Sequence, residues 1–273
     1  MPDRPRAVQA GLFAERELPR VPLAVAAARH EQLAQGLPAG LRLGTCSWSF
    51  PGWQGLVYGA AVSQATLARH GLATYARHPL LRTVSLDRGY YAPIPPGDLE
   101  RYVDQVPADF RFVVKAPEDC CWAQFPRHAR HGDRAGRSNP RFLDPGWAGA
   151  EVVRPLAAGL GDRLGAILFQ FPPQPARGAL APGRFAESLQ AFFGRLRDDV
   201  GNVPLAVEFR TEGWLAPVVA DALAAEGVRA ALTWHSRMPD LGEQARRLER
   251  DARGPLIVRW MLRGGDRYEE ARD

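Results

Sequence analysis

Seven polar side chains stand late in short apolar segments of this chain: Asp87, Lys115, Gln170, Glu208, Arg210, His235 and Arg259. Carboxylates beside cations suit two tasks at once. The carboxylate can take a proton while a fixed cation binds or stabilises an anion. Glu208 is the first choice of general base, Asp87 the second and His235 the third. Lys115 then serves as general acid or electrostatic stabiliser, and Arg210 with Arg259 clamps an anionic substrate. A Schiff base at Lys115 ranks lower because it needs a neutral amine, which Glu208 opposes even though Arg210 and Arg259 favour it. His235 reads equally as a satisfied histidine at a strand end. The structural rival pairs Lys115 with Glu208, and Asp87 with Arg210 or Arg259, as a plug of ion pairs. Two carboxylates also fit glycoside hydrolysis, which only their separation would decide.

Lys115 is the single lysine in the chain, against 34 arginines among the 35 basic residues. Where arginine has replaced lysine almost everywhere, the lysine that remains marks a position where a guanidinium would not fit or would not do the chemistry. Aromatic residues crowd the same segment ends. Trp48, Trp53, Tyr91 and Trp214, with Tyr90 and Trp122, are placed to stack on a ring of the substrate or to pack beneath the loops. Cys46 reads as a small core residue. Cys120 and Cys121 lack a His or acid at ligand spacing, so neither a metal nor a cofactor is expected.

The elements that must carry these residues alternate. Apolar segments of β character cover residues 41–48, 83–91, 110–117, 165–172, 204–210, 228–235 and 255–262. Helical patterns lie between them near 63–78, 97–105, 149–160, 184–199, 214–226 and 240–252. Such alternation predicts a parallel sheet with crossover helices. Seven units of this size, with no glycine-rich phosphate turn after the first strand, predict a TIM (β/α)8-type barrel. Parity within each strand then turns Ser85 with Asp87, Lys115, Gln170, Glu208 with Arg210, Thr233 with His235, and Arg259 inward, near the C-terminal mouth. An amphipathic stretch from Pro22 to Gln35, closed at Gly36-Leu37-Pro38, predicts a helical N-terminal extension over residues 1–40, with the barrel domain in 41–273.

Charge narrows the partners. The net charge is +5 and the pI about 9.5, but the basic residues are interspersed with 30 acids. That pattern favours a small polar or anionic ligand over nucleic acid. The segment 127–141 in the basic connection after residue 117, with His128, Arg130, His131, Arg134 and Arg137, reads as a solvated loop and is also the one place where a phosphate backbone would be recruited. No run approaches the eighteen or so apolar residues of a membrane helix, and the charged N-terminus is unlike a signal peptide, so a cytoplasmic protein is expected.

Several of these segments together resemble domain of unknown function family 72, the YecE-like proteins. The segments are 44-GTCSWSFPGW-53, 112-FVVKAP-117, 168-LFQFPP-173, and 207-VEFR-210 followed by Trp214. The resemblance covers roughly residues 41–268 and implies a TIM barrel without an assigned reaction. The chain departs from the family pattern in its second strand, 85-SLDRGYY-91, where the family has Glu-x-Asn-x-x-Phe-Tyr. It also has Glu-Asp-Cys-Cys-Trp after the lysine strand in place of a Thr-His pair. The family's final Arg-x-His-Gly stretch is only loosely matched by 259-RWMLRGG-265, and no eighth strand is visible before Asp273, so a C-terminally incomplete barrel is expected. The expected function is a small-molecule enzyme of hydrolase, lyase or isomerase type at the mouth. The alternative is a non-catalytic ligand- or nucleic-acid-binding protein.

Overall fold

All seven apolar segments carry strands in the computed structural model, which describes residues 21–248 and 255–262. The strands are β1 (Leu43–Thr45), β2 (Leu81–Leu86), β3 (Arg111–Lys115), β4 (Leu164–Phe171) and β5 (Leu205–Phe209). The sixth segment is split into β6 (Arg229–Ala230) and β7 (Leu232–Trp234), and the seventh gives β8 (Val258–Trp260). Strands β1 to β6 form one parallel sheet in sequence order, and β7 pairs with β8, also in parallel. Only Ala231 separates β6 from β7, and its N–H donates to Val207 O at 2.7 Å. The two sheets are therefore continuous past β5.

The described residues thus show an α/β fold with a parallel six-stranded sheet flanked by helices. They do not show the closed barrel expected from the sequence, because no pairing joins β8 to β1 among them. The sheet nonetheless curls. Arg259 on β8 reaches Cys46 Sγ just beyond β1 at 3.5 Å and Asp87 just beyond β2 at 3.3 Å.

Strand parity divides the packing. On the outer face Phe112, Val114, Ile167, Phe169, Phe171, Val207 and Phe209 are buried against the helices. The long helix Pro182–Val200 shows why this pairing holds: Phe185, Leu189, Phe192, Phe193 and Leu196 recur at helical spacing and form one buried stripe. Phe192 and Phe193 meet Phe169 edge-on, and Phe185 meets Phe171 the same way. Pro182 opens this helix, and Gly201, at φ 64°, closes it in a conformation that side chains disfavour. On the inner face a smaller cluster joins Ala166, Leu168, Ala206 and Ala231 with Val113 and Ile257. Three of these six are alanine, and a longer polar side chain follows two positions after each member except Ala166.

The N-terminal stretch forms a short 3-10 turn, Val25–His30, and a helix, Glu31–Gln35. It is tied down where Thr74 Oγ1 donates to Val21 O at 2.6 Å. The first 20 residues of the expected extension, residues 249–252 of the last expected helix, and residues 263–273 lie outside the described residues.

Candidate functional site

Directly above the small inner cluster lies a polar layer. Val113, Leu168, Ala206, Ala231 and Ile257 are each followed, two residues on, by Lys115, Gln170, Glu208, Thr233 and Arg259. Period-two alternation therefore lifts one polar group from each of five strands to the C-terminal side of the apolar layer.

Three of these residues, Lys115, Glu208 and Arg259, join Asp87 and Arg210 in one chain of alternating charge. Lys115 Nζ is 2.8 Å from Asp87 Oδ2, and Arg259 Nη2 is 3.3 Å from the same oxygen. Arg259 Nη1 lies 3.3 Å from Glu208 Oε2, and Arg210 bonds Glu208 Oε1. The order is Lys115, Asp87, Arg259, Glu208, Arg210: three cations and two carboxylates. Lys115 is thus bound by Asp87 and not by Glu208, while Arg210 serves Glu208 and not Asp87. Ser85 Oγ adds a hydrogen bond to Asp87 Oδ1 at 2.6 Å. Burial works against the ionisation of Asp87, but Arg259 and Lys115 outweigh it and hold the carboxyl below its ordinary value. Burial likewise disfavours the charge on Arg259, and Glu208 with Asp87 more than restores it.

The network is not saturated. Glu208 and Thr233 are fully buried, yet Glu208 Oε2, Thr233 Oγ1, Arg259 Nη1 and Gln170 Oε1 have no hydrogen-bond partner among the described residues. The 3.3 Å Arg259–Glu208 contact is an ion pair without hydrogen-bond geometry. At the outer end, Arg210 Nη2 pairs with Glu208 Oε1 and also meets the thioether sulfur of Met261, at 3.1 Å, a weak acceptor.

His235 stands close enough to feel Arg210 and Glu208. Burial first, then Arg210 and Arg237, lowers its pKa and keeps the imidazole neutral. Its Nδ1 accepts the N–H of Arg237 at 3.1 Å, which leaves the proton on Nε2. In that tautomer Nε2 donates rather than accepts, so the site presents His235 as a donor.

The loops refine the expectations about aromatic residues. Tyr90 places its ring 5.7 Å from Lys115 Nζ, whereas Tyr91 is 71% exposed. The 3-10 turn Asp87–Tyr90 ends strand alternation and makes this choice. Gly89 permits it, since a Cβ there would come within 2.4 Å of Lys115 O. Burial pushes the Tyr90 hydroxyl up to about 12, with Glu118 and Cys121 adding to the effect. Trp214 belongs to the core and not to the mouth: it is fully buried, packs on Phe171, Phe185 and Phe209, and donates to Leu180 O at 2.9 Å. Trp48 is buried edge-on against Tyr102 and donates to Leu67 O at 3.1 Å, and Trp53 packs on Phe50 and Tyr75. Cys46, expected in the core, is exposed. Cys120 and Cys121 are buried, and burial raises both thiols. Among the described residues no three His, Cys, Asp or Glu side chains gather to hold a metal ion.

The connection after β3 was expected to be a solvated basic loop. It carries its own ion pairs: Arg130 holds the buried Glu118 at 2.8 Å, and Arg134 and Arg141 hold Asp119 at 3.0 and 3.3 Å. His131 is buried beside Glu118, and burial keeps its imidazole neutral, so their 3.4 Å contact carries no ion pair at neutral pH. Between the loops after β1 and β2 a cleft of about 360 Å³ opens, lined among others by Asp87, Ser85, Ser47, Ser49 and Arg69. The carboxylate that holds Lys115 is therefore also part of the wall of an open cleft. Tyr90, Thr233 and Met261 were not among the seven residues picked from the sequence. Parity had placed Thr233 inward, but nothing in the sequence distinguishes Tyr90 from Tyr91.

A profile of the family described as Protein of unknown function DUF72 matches residues 42–272. The UPF0759 protein YunF of Bacillus subtilis (strain 168) is 27% identical over 152 residues, 56% of this chain and 46% of YunF. The chain thus spans about half the length of this curated relative. Among solved structures, a DUF72 family protein from Thermotoga maritima MSB8 is 23% identical over 72% of this chain and 65% of its own, with a TM-score of 0.48. Another, from Enterococcus faecalis V583, is 21% identical over 70% of this chain and 60% of its own, with a TM-score of 0.46. With the profile covering most of its length, the chain belongs to the DUF72 family of proteins of unknown function.

Proposed function

We propose that the curled sheet is a TIM-type barrel whose C-terminal mouth binds a small polar anion and transforms it by acid–base chemistry, as a hydrolase, lyase or isomerase. The observation that carries this reading is the surplus of cation in the buried network. Among the described residues the cations Lys115, Arg210 and Arg259 share two carboxylates, Asp87 and Glu208, and Arg210 spends one N–H on a thioether. A network built only to close the interior would match its charges and hydrogen bonds. In this scheme Lys115 and Arg210 bind the anion, Asp87 orients Lys115, and Glu208 Oε2 takes the proton. Arg259 holds both carboxylates in place, Lys115 returns a proton to the leaving or rearranged group, and the Nε2–H of His235 donates a hydrogen bond to it. Engagement of Arg130 and Arg134 with Glu118 and Asp119 favours a small ligand over nucleic acid.

The test is thermal stability of wild type and Lys115→Met across a panel of anionic metabolites. A ligand present at a hundred times its Kd adds about 2.7 kcal/mol to wild type. The expected outcome is at least one anion that stabilises wild type and leaves Lys115→Met unmoved. If no anion does so, the mouth is an ion-pair plug.

A further inference from the structure

We propose that the substrate of this mouth is a polyhydroxylated anion, a polyol chain ending in a carboxylate or phosphate. This inference rests on the anion-binding reading above and adds the chemistry of the other end of the ligand. The observation is the set of buried polar atoms without hydrogen-bond partners. Gln170 Oε1, Glu208 Oε2, Thr233 Oγ1 and Arg259 Nη1 all belong to the polar layer. They also adjoin one another. Gln170 is the register partner of Glu208 across β4 and β5, and Thr233 is the register partner of Arg259 across β7 and β8. The Glu208 and Arg259 atoms lie 3.3 Å apart. The opposite side of the layer is satisfied, because Asp87 there already receives Lys115, Arg259 and Ser85.

What fills such a surface follows from donor and acceptor type. Glu208 Oε2 and Gln170 Oε1 accept, Arg259 Nη1 donates, and Thr233 Oγ1 does both. A carboxylate or phosphate placed between Glu208 and Arg259 would be repelled by Glu208. An ammonium there would be repelled by Arg259. A hydroxyl group meets both needs: it donates to Glu208 Oε2 and accepts from Arg259 Nη1. Further hydroxyls along the chain serve the flanking atoms separately, one donating to Gln170 Oε1 beside Glu208 and one pairing with Thr233 Oγ1 beside Arg259. The anionic end then lies toward Lys115, whose side chain is 11% exposed and has donors left after Asp87, and toward Arg210. A buried site of this kind rejects an analogue that lacks the hydroxyl, because the protein atoms are then left unpaired.

The experiment measures binding by calorimetry to matched pairs. Glycerate, erythronate and gluconate, with glycerol phosphate and sorbitol phosphate, are compared with propionate, butyrate, hexanoate, propyl phosphate and hexyl phosphate, and with neutral glycerol and sorbitol. The carboxylate and phosphate arms tell the two anionic ends apart. Wild type is expected to bind a hydroxylated anion at least about tenfold more tightly than its hydroxyl-free twin. Thr233→Val, which removes an unpartnered hydroxyl and keeps the shape, is expected to fold and to weaken the hydroxylated ligand about fivefold. It should leave the hydroxyl-free twin unchanged. If the twins bind alike and Lys115→Met abolishes both, ordered water satisfies these atoms; the anion site then stands and the polyol inference falls. If a neutral polyol binds as tightly as its anionic counterpart, the anionic end is wrong. If nothing in the panel binds wild type, both readings fall together.

Discussion

Lys115 is held by Asp87: its ammonium lies 2.8 Å from Asp87 Oδ2, across the C-terminal ends of the neighbouring strands β2 and β3. The same oxygen takes Arg259 at 3.3 Å. A planar guanidinium at position 115 would have to share that oxygen with another guanidinium beneath the Tyr90 ring. This gives the chain's one lysine a physical reason.

Lys115→Met removes one charge-assisted bond but leaves Asp87 with Arg259 and Ser85. The expected cost is about 1.5–3 kcal/mol. Lys115→Arg is expected to stay folded and to lose anion binding as fully as Lys115→Met, by calorimetry. Retained binding in the arginine variant would mean that only charge matters at this position.

Glu208→Gln should be the more damaging change. It leaves the buried Arg210 without a carboxylate and Arg259 with Asp87 alone, and breaking a buried pair from one side costs about 3–5 kcal/mol. Denaturant unfolding measures this loss. A Glu208→Gln protein as stable as wild type would show that Arg210 does not need the carboxylate charge of Glu208.

Acid titration of stability separates two sets of groups. The folded pKa of Asp87 lies below its ordinary 3.8, so its contribution is complete above that value and is lost as pH falls through the folded value. The stability difference between wild type and Asp87→Asn should therefore shrink at the acid end. His78, His131 and His235 are all lowered from 6.5, burial being the first cause of each. Their unfolded forms take up protons first, so stability should already begin to fall as pH drops below about 6.5. A flat profile from pH 7 to 5 would contradict this.

The aromatic residues divide by substitution. Tyr91→Ala should change stability by less than about 0.5 kcal/mol and leave binding intact. Tyr90→Leu should weaken anion binding by loosening the seat of Lys115. Trp214→Ala should cost about 3–5 kcal/mol with ligand affinity unchanged in the protein that still folds.

Thiol labelling gives a direct view of the mouth. Cys46 is exposed and sits 3.5 Å from Arg259 Nη2, while Cys120 and Cys121 are buried with raised pKa values. One equivalent of alkylating reagent should react quickly, at Cys46, and a bound anion should slow it. Labelling of Cys120 or Cys121 at a similar rate would mean that the loop after β3 opens readily.

The amino-acid sequence alone determined which segments are strands and which of their faces is polar. Alternation is local: a side chain at Lys115, Gln170, Glu208 or Arg259 lies on the same side as its neighbour two residues back, whatever the rest of the chain does. The apolar residues beneath them, from Val113 to Ile257, are legible for the same reason. Which polar groups meet was decided only by tertiary structure. The stagger and curl of the strands bring Arg259 over Asp87 and Glu208 and leave Lys115 to Asp87. Where strands end, alternation ends too. The turn Asp87–Tyr90 selects Tyr90 over Tyr91, and the turn Glu212–Trp214 carries Trp214 into the core. The loop after β3 looked solvated because its charges are frequent. Glu118 and Asp119 are buried there because the fold brings Arg130, Arg134 and Arg141 back over them, a pairing across 12 to 22 residues that spacing alone does not encode.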